Sequence, residues 1–364
     1  MTSRERFLIA ANGGKPDRIP VYGSLTPQAA KKLAEHFGIT EDVEPVDSFL
    51  STRLSHIAIV NKLGNDAVNI GACRESGKET KVLPDGTSTD EWGFIYTQCG
   101  LYGEVTGRPL ANCESVEDVL AYEVPNPNDE GRFALARQNY EKYHNDYAII
   151  GNLEAAIFEV AWNLVGLEKF LVDMMCEEEY ISVLLDKITD FNLAVALTLV
   201  DIGSDVIWMG DDIGMQTGPL MNEDLYDKYL FPRHKRIIDA IKKKNPDVRI
   251  AYHSCGSIVP FIPKLIEAGV EILNPIQPRA KGMDLGLLKK QYGDKLVFFG
   301  GIDIQNVLPY GTPEDVENEV ILRIKQTGEN GGLILAPAHN IQADTPVENI
   351  LKMYEAIFKH GVYK

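Results

Sequence analysis

The chain has 364 residues, 45% hydrophobic and 24% charged, which allows a large core and gives no sign of disorder. Its net charge of −17 argues against binding the phosphate backbone of a nucleic acid. No stretch approaches the length of a membrane span, and nothing near residues 1–6 looks like a signal peptide. Because the five cysteines have no paired spacing, we expect a reducing compartment and a cytoplasmic protein.

Short apolar runs alternate with longer amphipathic stretches along the chain, which is typical of parallel β/α units. The predicted strands are Ile19–Leu25, Asp66–Ala72, Tyr147–Glu154, Asp205–Gly210, Arg249–Cys255, Glu271–Ile276, Leu296–Gly301 and Leu333–Pro337. Eight parallel strands are the number that closes a (β/α)8 barrel, also called a TIM barrel. We therefore predict one α/β barrel domain over residues 1–364.

Residues 77–112 break this alternation and are typical of β-hairpins. Pro84-Asp85-Gly86 is a turn sequence, and residues 91–96 alternate as a strand does. We predict a β-hairpin insertion after the second strand. It could contribute to function, as loops at this end of a barrel often do, or be a structural flap.

Polar residues collect at the carboxyl ends of the predicted strands, where active sites of TIM barrels lie. The candidate catalytic carboxylates are Asp211, Asp212, Glu154 and Asp303. The candidate substrate-binding residues are Tyr22, Trp92, Phe158, Trp208, Gln277 and Gln342. A core role is equally possible for each of the four aromatic residues, and Asp211-Asp212 could simply cap the next helix.

His253 and Cys255 stand two apart at a strand end, so their side chains point to the same face. An imidazole and a thiolate are ligands that zinc prefers. His339, after the last strand, could supply the third ligand of a catalytic site that keeps one position open. Asp211, Asp212, Glu154 or Glu159 could fill that position. Alternatively, Cys255 is a buried core residue and His339 an ordinary hydrogen-bonded histidine.

At His253-Ser254-Cys255-Gly256 and the neighbouring strand ends, the sequence resembles the uroporphyrinogen decarboxylase superfamily. Further markers of the resemblance are Arg18-Ile19-Pro20-Val21, Gly166-Leu167-Glu168-Lys169-Phe170, Gly300-Gly301-Ile302-Asp303 and Thr345-Pro346. The superfamily contains metal-free decarboxylases of a tetrapyrrole and zinc-dependent methyltransferases that work with a corrinoid protein. The resemblance implies a TIM barrel, and it implies that the His-x-Cys strand end supplies two zinc ligands.

One departure counts against the decarboxylase branch, and a second is a difference from the methyltransferase branch. The segment Tyr22–Ala29 lacks the arginines with which the decarboxylases bind their polycarboxylate substrate. In the methyltransferases a cysteine precedes the final Thr-Pro pair by six residues, whereas here His339 precedes Thr345-Pro346 by that step. One thiolate instead of two makes a harder Lewis acid, which favours an ether oxygen and disfavours an acceptor of the coenzyme M type.

The leading hypothesis is therefore a zinc-dependent methyltransferase of the O-demethylase type. It would move a methyl group between a small, methylated molecule, best a methoxy compound, and a corrinoid carried on a partner protein. One alternative is a metal-free decarboxylase or other lyase with Asp211 or Asp303 as the acid. Another is a non-catalytic module that binds a corrinoid or acts as a chaperone.

Overall fold

The computed structural model describes residues 1–48, 51–327 and 330–363. Seven parallel strands form one curled sheet, with neighbours in the order of the chain. These strands are β1 (Ala67–Gly71), β6 (Ala148–Leu153), β7 (Val206–Gly210), β8 (Arg249–His253), β9 (Ile272–Ile276), β10 (Val297–Ile302) and β11 (Leu333–Pro337). The α/β class and the curled, barrel-like parallel sheet are as the sequence predicts.

The first predicted strand, Ile19–Leu25, does not form a regular strand. It makes isolated parallel bridges from Val21 to Leu335 and from Leu25 to Ile341. On its other side, the Val21 carbonyl accepts a hydrogen bond from the Asp66 amide. The segment thus lies between β11 and the start of β1. Toward β1, its Val21 and Gly23 amides donate to the side chains of Asp66 and Asn65 instead of to backbone carbonyls, which interrupts a regular ladder.

Alternate residues of the strands point into the barrel, as a period of two requires. Ala251 on β8 and Ile272 on β9 belong to this inner core, together with Trp208 and Phe299. Two residues further along, the same face presents His253 and Asn274, both buried. The carboxyl ends of β8 and β9 therefore direct polar side chains into the mouth of the barrel.

The helices are α1 (Ser3–Ala11), α2 (Pro27–Phe37), α3 (Ile57–Leu63), α4 (Val116–Ala121), α5 (Ala134–Tyr143), α6 (Phe158–Val165), α7 (Leu167–Cys176), α8 (Glu179–Ile202), α9 (Glu223–Leu225), α10 (Phe231–Lys244), α11 (Ile262–Ala268), α12 (Leu285–Tyr292), α13 (Val307–Tyr310), α14 (Pro313–Thr327) and α15 (Val347–His360). Phe7 and Ala10 of α1 pack into the inner core beside the first residues of the strands, so α1 closes the amino-terminal end of the barrel. Within the described part of the chain, each helix is too short or too polar to cross a bilayer.

A second, antiparallel sheet follows β1. Its strands are β2 (Lys81–Val82), β3 (Ser88–Thr89), β4 (Ile95–Cys99) and β5 (Tyr102–Gly107), paired in that order. Near its tip, Gln28 donates to the Leu101 carbonyl at 2.8 Å, and the Tyr102 hydroxyl donates to Gln342 after β11. This sheet therefore contacts the mouth of the barrel. That residues 77–112 are an insertion in the domain stays a prediction.

Candidate metal centre

Three predicted ligands meet at the mouth of the barrel. His253 ends β8, Cys255 lies two residues beyond it, and His339 lies two residues after β11. Their donor atoms all lie within 4.8 Å of one another, with 3.7 Å between His253 Nε2 and Cys255 Sγ. We call His253, Cys255 and His339 the ligand cluster. Curvature of the sheet joins residues that are more than eighty positions apart in sequence, and the resulting group could hold a metal ion.

The orientation of the His253 ring is set by Asn274 on the neighbouring strand. The Asn274 amide nitrogen donates to the Phe299 carbonyl at 3.0 Å, which turns its Oδ1 toward the histidine. Nδ1 of His253 donates to that oxygen at 2.5 Å. Nε2 is then the unprotonated nitrogen, and it faces Cys255. Such an outer hydrogen bond is what fixes a histidine for metal binding.

Burial controls the charge of the ligand cluster. It lowers the pKa of His253, and it lowers the pKa of His339 to about 4; the nearby charge of Arg53 acts in the same direction on both. Both imidazoles are therefore neutral near neutral pH, which is the form that binds metals. Burial raises the pKa of the Cys255 thiol well above its usual value, and Asp212 adds to this effect. The thiol must lose its proton when a cation binds.

Of the predicted carboxylates, Asp212 and Glu154 lie beside the ligand cluster. Asp212 Oδ1 accepts from the Cys255 amide at 2.7 Å and lies 3.7 Å from His253 Nε2. A third of the Asp212 side chain is exposed, so it can also meet a ligand from solvent. Burial and three neighbouring carboxylates raise the pKa of Glu159 well above its usual value, which favours its neutral form.

Glu154 is paired with Arg53, a residue that the sequence analysis missed. Arg53 Nε lies 2.7 Å and 2.9 Å from the two carboxylate oxygens of Glu154. Burial opposes ionisation of Glu154, but the charge and hydrogen bonds of Arg53 outweigh it and lower the pKa of the carboxyl group. Arg53 comes from the segment before α3, not from Tyr22–Ala29. An arginine within the otherwise uncharged run of residues 48–55 was the available sequence signal.

The structure does not bring Asp211 into the site. Its carboxylate is fully buried and accepts from the amides of Ile157 and Glu159 at 3.0 Å and from His234 at 2.9 Å. It therefore holds the start of α6 against β7 and has no open side toward a substrate. Asp211 was a catalytic candidate because it follows a predicted strand end, and the sequence does not show that backbone amides enclose it.

The Asp303 carboxylate also accepts hydrogen bonds from backbone amides. It is buried, and its Oδ1 accepts from the amides of Gln305 at 2.7 Å and Asn306 at 3.1 Å. These bonds shape the turn between β10 and α13. Asp303, one of the two acids predicted for the decarboxylase alternative, is thus a turn-forming residue in this fold.

The four predicted aromatic residues divide into two pairs. Tyr22 and Trp208 lie in the barrel interior, and the Trp208 ring stacks on His253 with 5.4 Å between ring centroids. The Trp92 ring packs against Phe191 with 4.9 Å between ring centroids, and Phe158 belongs to the core outside the strands. For Trp92 and Phe158 the core role, left open by the sequence, is the one that the structure supports.

A cleft of about 370 Å³ opens along two of the ligands, Cys255 and His339. Gln277 lines it, and the Gln277 side-chain oxygen accepts from the Gly256 amide at 2.8 Å. The other lining residues are Gly214, Met215, Gln216, Gly256, Ile304, Gln305 and Ala338. The volume suits a small molecule. Gln342 lies instead at the rim, held by Tyr102 and by the Asn340 carbonyl.

The chain is similar to known proteins over most of its length. The family model for uroporphyrinogen decarboxylase (URO-D) matches residues 103–360. The Methylcobamide:CoM methyltransferase MtbA of Methanosarcina mazei is 30% identical over 270 residues, which are 71% of this chain and 74% of that protein. The Methylcobamide:CoM methyltransferase MtaA of Methanosarcina barkeri is 26% identical over 98% of this chain and 97% of its own. A solved structure of a methyltransferase from Methanosarcina mazei shares the fold, with a TM-score of 0.70, 20% identity and 99% coverage of both chains.

Proposed function

The chain belongs to the uroporphyrinogen decarboxylase family and resembles its methyltransferase branch, and from this premise we propose that it is a zinc-dependent methyltransferase. It would move a methyl group between a small methylated molecule and a corrinoid on a separate partner protein in the cytoplasm. The observation that carries the proposal is the ligand cluster, whose three donor atoms lie within 4.8 Å of one another.

The residues present fit zinc. Two neutral imidazoles and one thiol are its usual protein ligands, and three protein ligands with an open position are typical of catalytic sites. Asn274 behind His253 supplies the outer hydrogen bond that such sites have. When bound, zinc supplies a Lewis-acid charge that polarises the heteroatom of the substrate.

The protein's own groups position that substrate. The cleft beside Cys255 and His339 takes the small molecule, and Gln277 contributes an amide side chain to its wall. Asp212, partly exposed next to the ligand cluster, is placed to orient the substrate or to close the fourth position. The mouth of the barrel is also the side from which a partner protein can approach.

We further propose a methoxy compound as the substrate, which makes the enzyme an O-demethylase. A His-Cys-His ligand set has one thiolate, so the site is harder than a two-thiolate site and suits an ether oxygen. The wall of the cleft supports this choice over an acceptor of the coenzyme M type. The described residues that line it carry no cationic side chain to bind the sulfonate of such an acceptor.

The decisive experiment measures metal content and methyl transfer together. The purified protein is expected to hold about one zinc per chain, as one ligand cluster implies. With zinc it should transfer methyl groups from methoxy compounds to free cob(I)alamin. A folded protein that takes up no zinc would overturn the proposal, whereas zinc without transfer from methoxy compounds would overturn only the choice of substrate.

Removing the side chain behind His253 should weaken the metal site without touching a ligand. We expect Asn274→Ala to lower zinc affinity by roughly 10- to 100-fold, because His253 loses the bond that fixes its ring. Competition with a chromogenic chelator measures the affinity. Asn349→Ala is a matched control, since Asn349 is an equally buried asparagine that holds the Leu308 and Gly311 carbonyls. Equal zinc affinity in the two variants would contradict this role of Asn274.

A further inference from the structure

A second, much smaller cavity lies on the inner side of the ligand cluster. Its volume is about 10 Å³, and Tyr22, Arg53, Trp208, His253 and His339 are among its lining residues. A space of this size holds one water-sized atom or molecule. It adjoins the large cleft, with which it shares Ala338 and His339, but the wall of the cleft includes neither Arg53 nor Trp208.

Two residues that line this small cavity, Arg53 and Trp208, each have a buried donor for which the described part of the chain offers no acceptor. The Arg53 side chain is 3% exposed, its Nε is bound to Glu154, and its Nη1 donates to Ser24 at 2.9 Å. Its Nη2 has no hydrogen-bond partner among the described residues, and neither has Nε1 of the buried Trp208. Leaving a buried donor unsatisfied costs about 1–3 kcal/mol, so an occupant that accepts hydrogen bonds is favoured here.

The charges around the cavity indicate what kind of acceptor it takes. The Arg53 guanidinium lies 4.8 Å from the centre of the Trp208 ring, which stacks on His253. Glu154 offsets its charge, but both carboxylate oxygens bind Nε and leave Nη2 free. A hydrogen-bond-accepting atom with negative charge best satisfies this set of donors.

We propose that Arg53 Nη2 and Trp208 Nε1 form an anion subsite on the inner side of the ligand cluster. It takes one small atom with negative charge, either a free anion of water size or a heteroatom of the substrate. The second case rests on the proposed function. In that case, transfer of the methyl group to the partner's corrinoid would break the bond between methyl and heteroatom and would leave its electron pair on the heteroatom. Arg53 and Trp208 then stabilise that charge, as an oxyanion hole does.

The test uses fluoride as the probe and the indole N–H signals of the ¹⁵N-labelled full-length protein as the readout. Trp208→Phe assigns the signal of Trp208. In the wild type, fluoride should shift this signal saturably. In Arg53→Lys, which can keep the ion pair with Glu154 but has no second nitrogen to donate, binding should be weaker by about tenfold or more.

Arg108 and Trp162 provide a matched control within the same chain. Arg108 lies 5.8 Å from the centre of the Trp162 ring, but its Nη1 donates to the Asn163 carbonyl and its Nη2 to the Val105 carbonyl. The Trp162 signal should therefore stay unchanged, and Arg108→Lys should bind fluoride as the wild type does.

The titration is run on the metal-free and on the zinc-loaded protein. If fluoride moves the Trp208 signal in neither form, the subsite is overturned, whatever the variants do. Equal fluoride affinity of Arg53→Lys and the wild type overturns it as well. Because the metal-free titration involves neither zinc nor methyl transfer, its failure is distinct from failure of the proposed function. Fluoride binding with unchanged methyl transfer in Arg53→Lys would keep the free-anion site and overturn the heteroatom case.

Discussion

Replacing either residue of the His-x-Cys strand end is expected to abolish zinc binding and methyl transfer while the barrel stays folded. His253→Ala and Cys255→Ala each remove one of the three proposed ligands, and loss of an outer hydrogen bond alone already costs about 10- to 100-fold in metal affinity. We therefore expect the dissociation constant for zinc to rise by at least about 100-fold. Metal analysis after dialysis, with circular dichroism to follow the fold, measures both effects.

Cys73→Ser serves as the control for these two variants. Cys73 is a partly buried free thiol like Cys255, but it lies outside the ligand cluster. It should keep its zinc and its activity. If Cys255→Ala also retained zinc with unchanged affinity, the ligand cluster would not be the metal site, and the methyltransferase proposal would lose its main support.

The second large expected effect distinguishes the roles of two adjacent carboxylates, Asp211 and Asp212. Asp211→Ala leaves the amides of Ile157 and Glu159 and the buried His234 without their acceptor. At about 1–3 kcal/mol for each of the two unsatisfied backbone amides, we expect the free energy of unfolding to fall by about 2–6 kcal/mol. Urea unfolding measures this loss. Asp211→Asn keeps one acceptor oxygen and should lose less.

Asp212→Ala should show the opposite pattern. Its side chain is one-third exposed and makes one backbone hydrogen bond, so we expect a loss of only about 1 kcal/mol in the free energy of unfolding. Because Asp212 lies next to the ligand cluster, zinc affinity or methyl transfer should fall instead. A stable but inactive Asp211→Ala would reverse these roles and restore Asp211 as a catalytic candidate.

The sequence determined the strand pattern and the core of the site. Apolar runs alternating with amphipathic stretches indicate parallel β/α units, since their periodicity is local. The shared direction of His253 and Cys255 follows from their spacing of two on a strand. Both features depend on neighbours in sequence. The sequence predicted a regular strand over Ile19–Leu25, but the structure has only isolated bridges there. The hydrogen bonding of this segment depends on β11, which lies some three hundred residues away.

Only the tertiary structure decided which polar residues complete the site. Arg53 and Asn274 reach the ligand cluster through packing between segments that are distant in sequence, so no local pattern marks their roles. Asp211 and Asp212 are adjacent and chemically identical, yet one is enclosed by backbone amides and the other faces the cluster. Neighbouring residues at a strand end point to opposite sides, and the surroundings of each side decide whether a carboxylate supports the fold or serves the site.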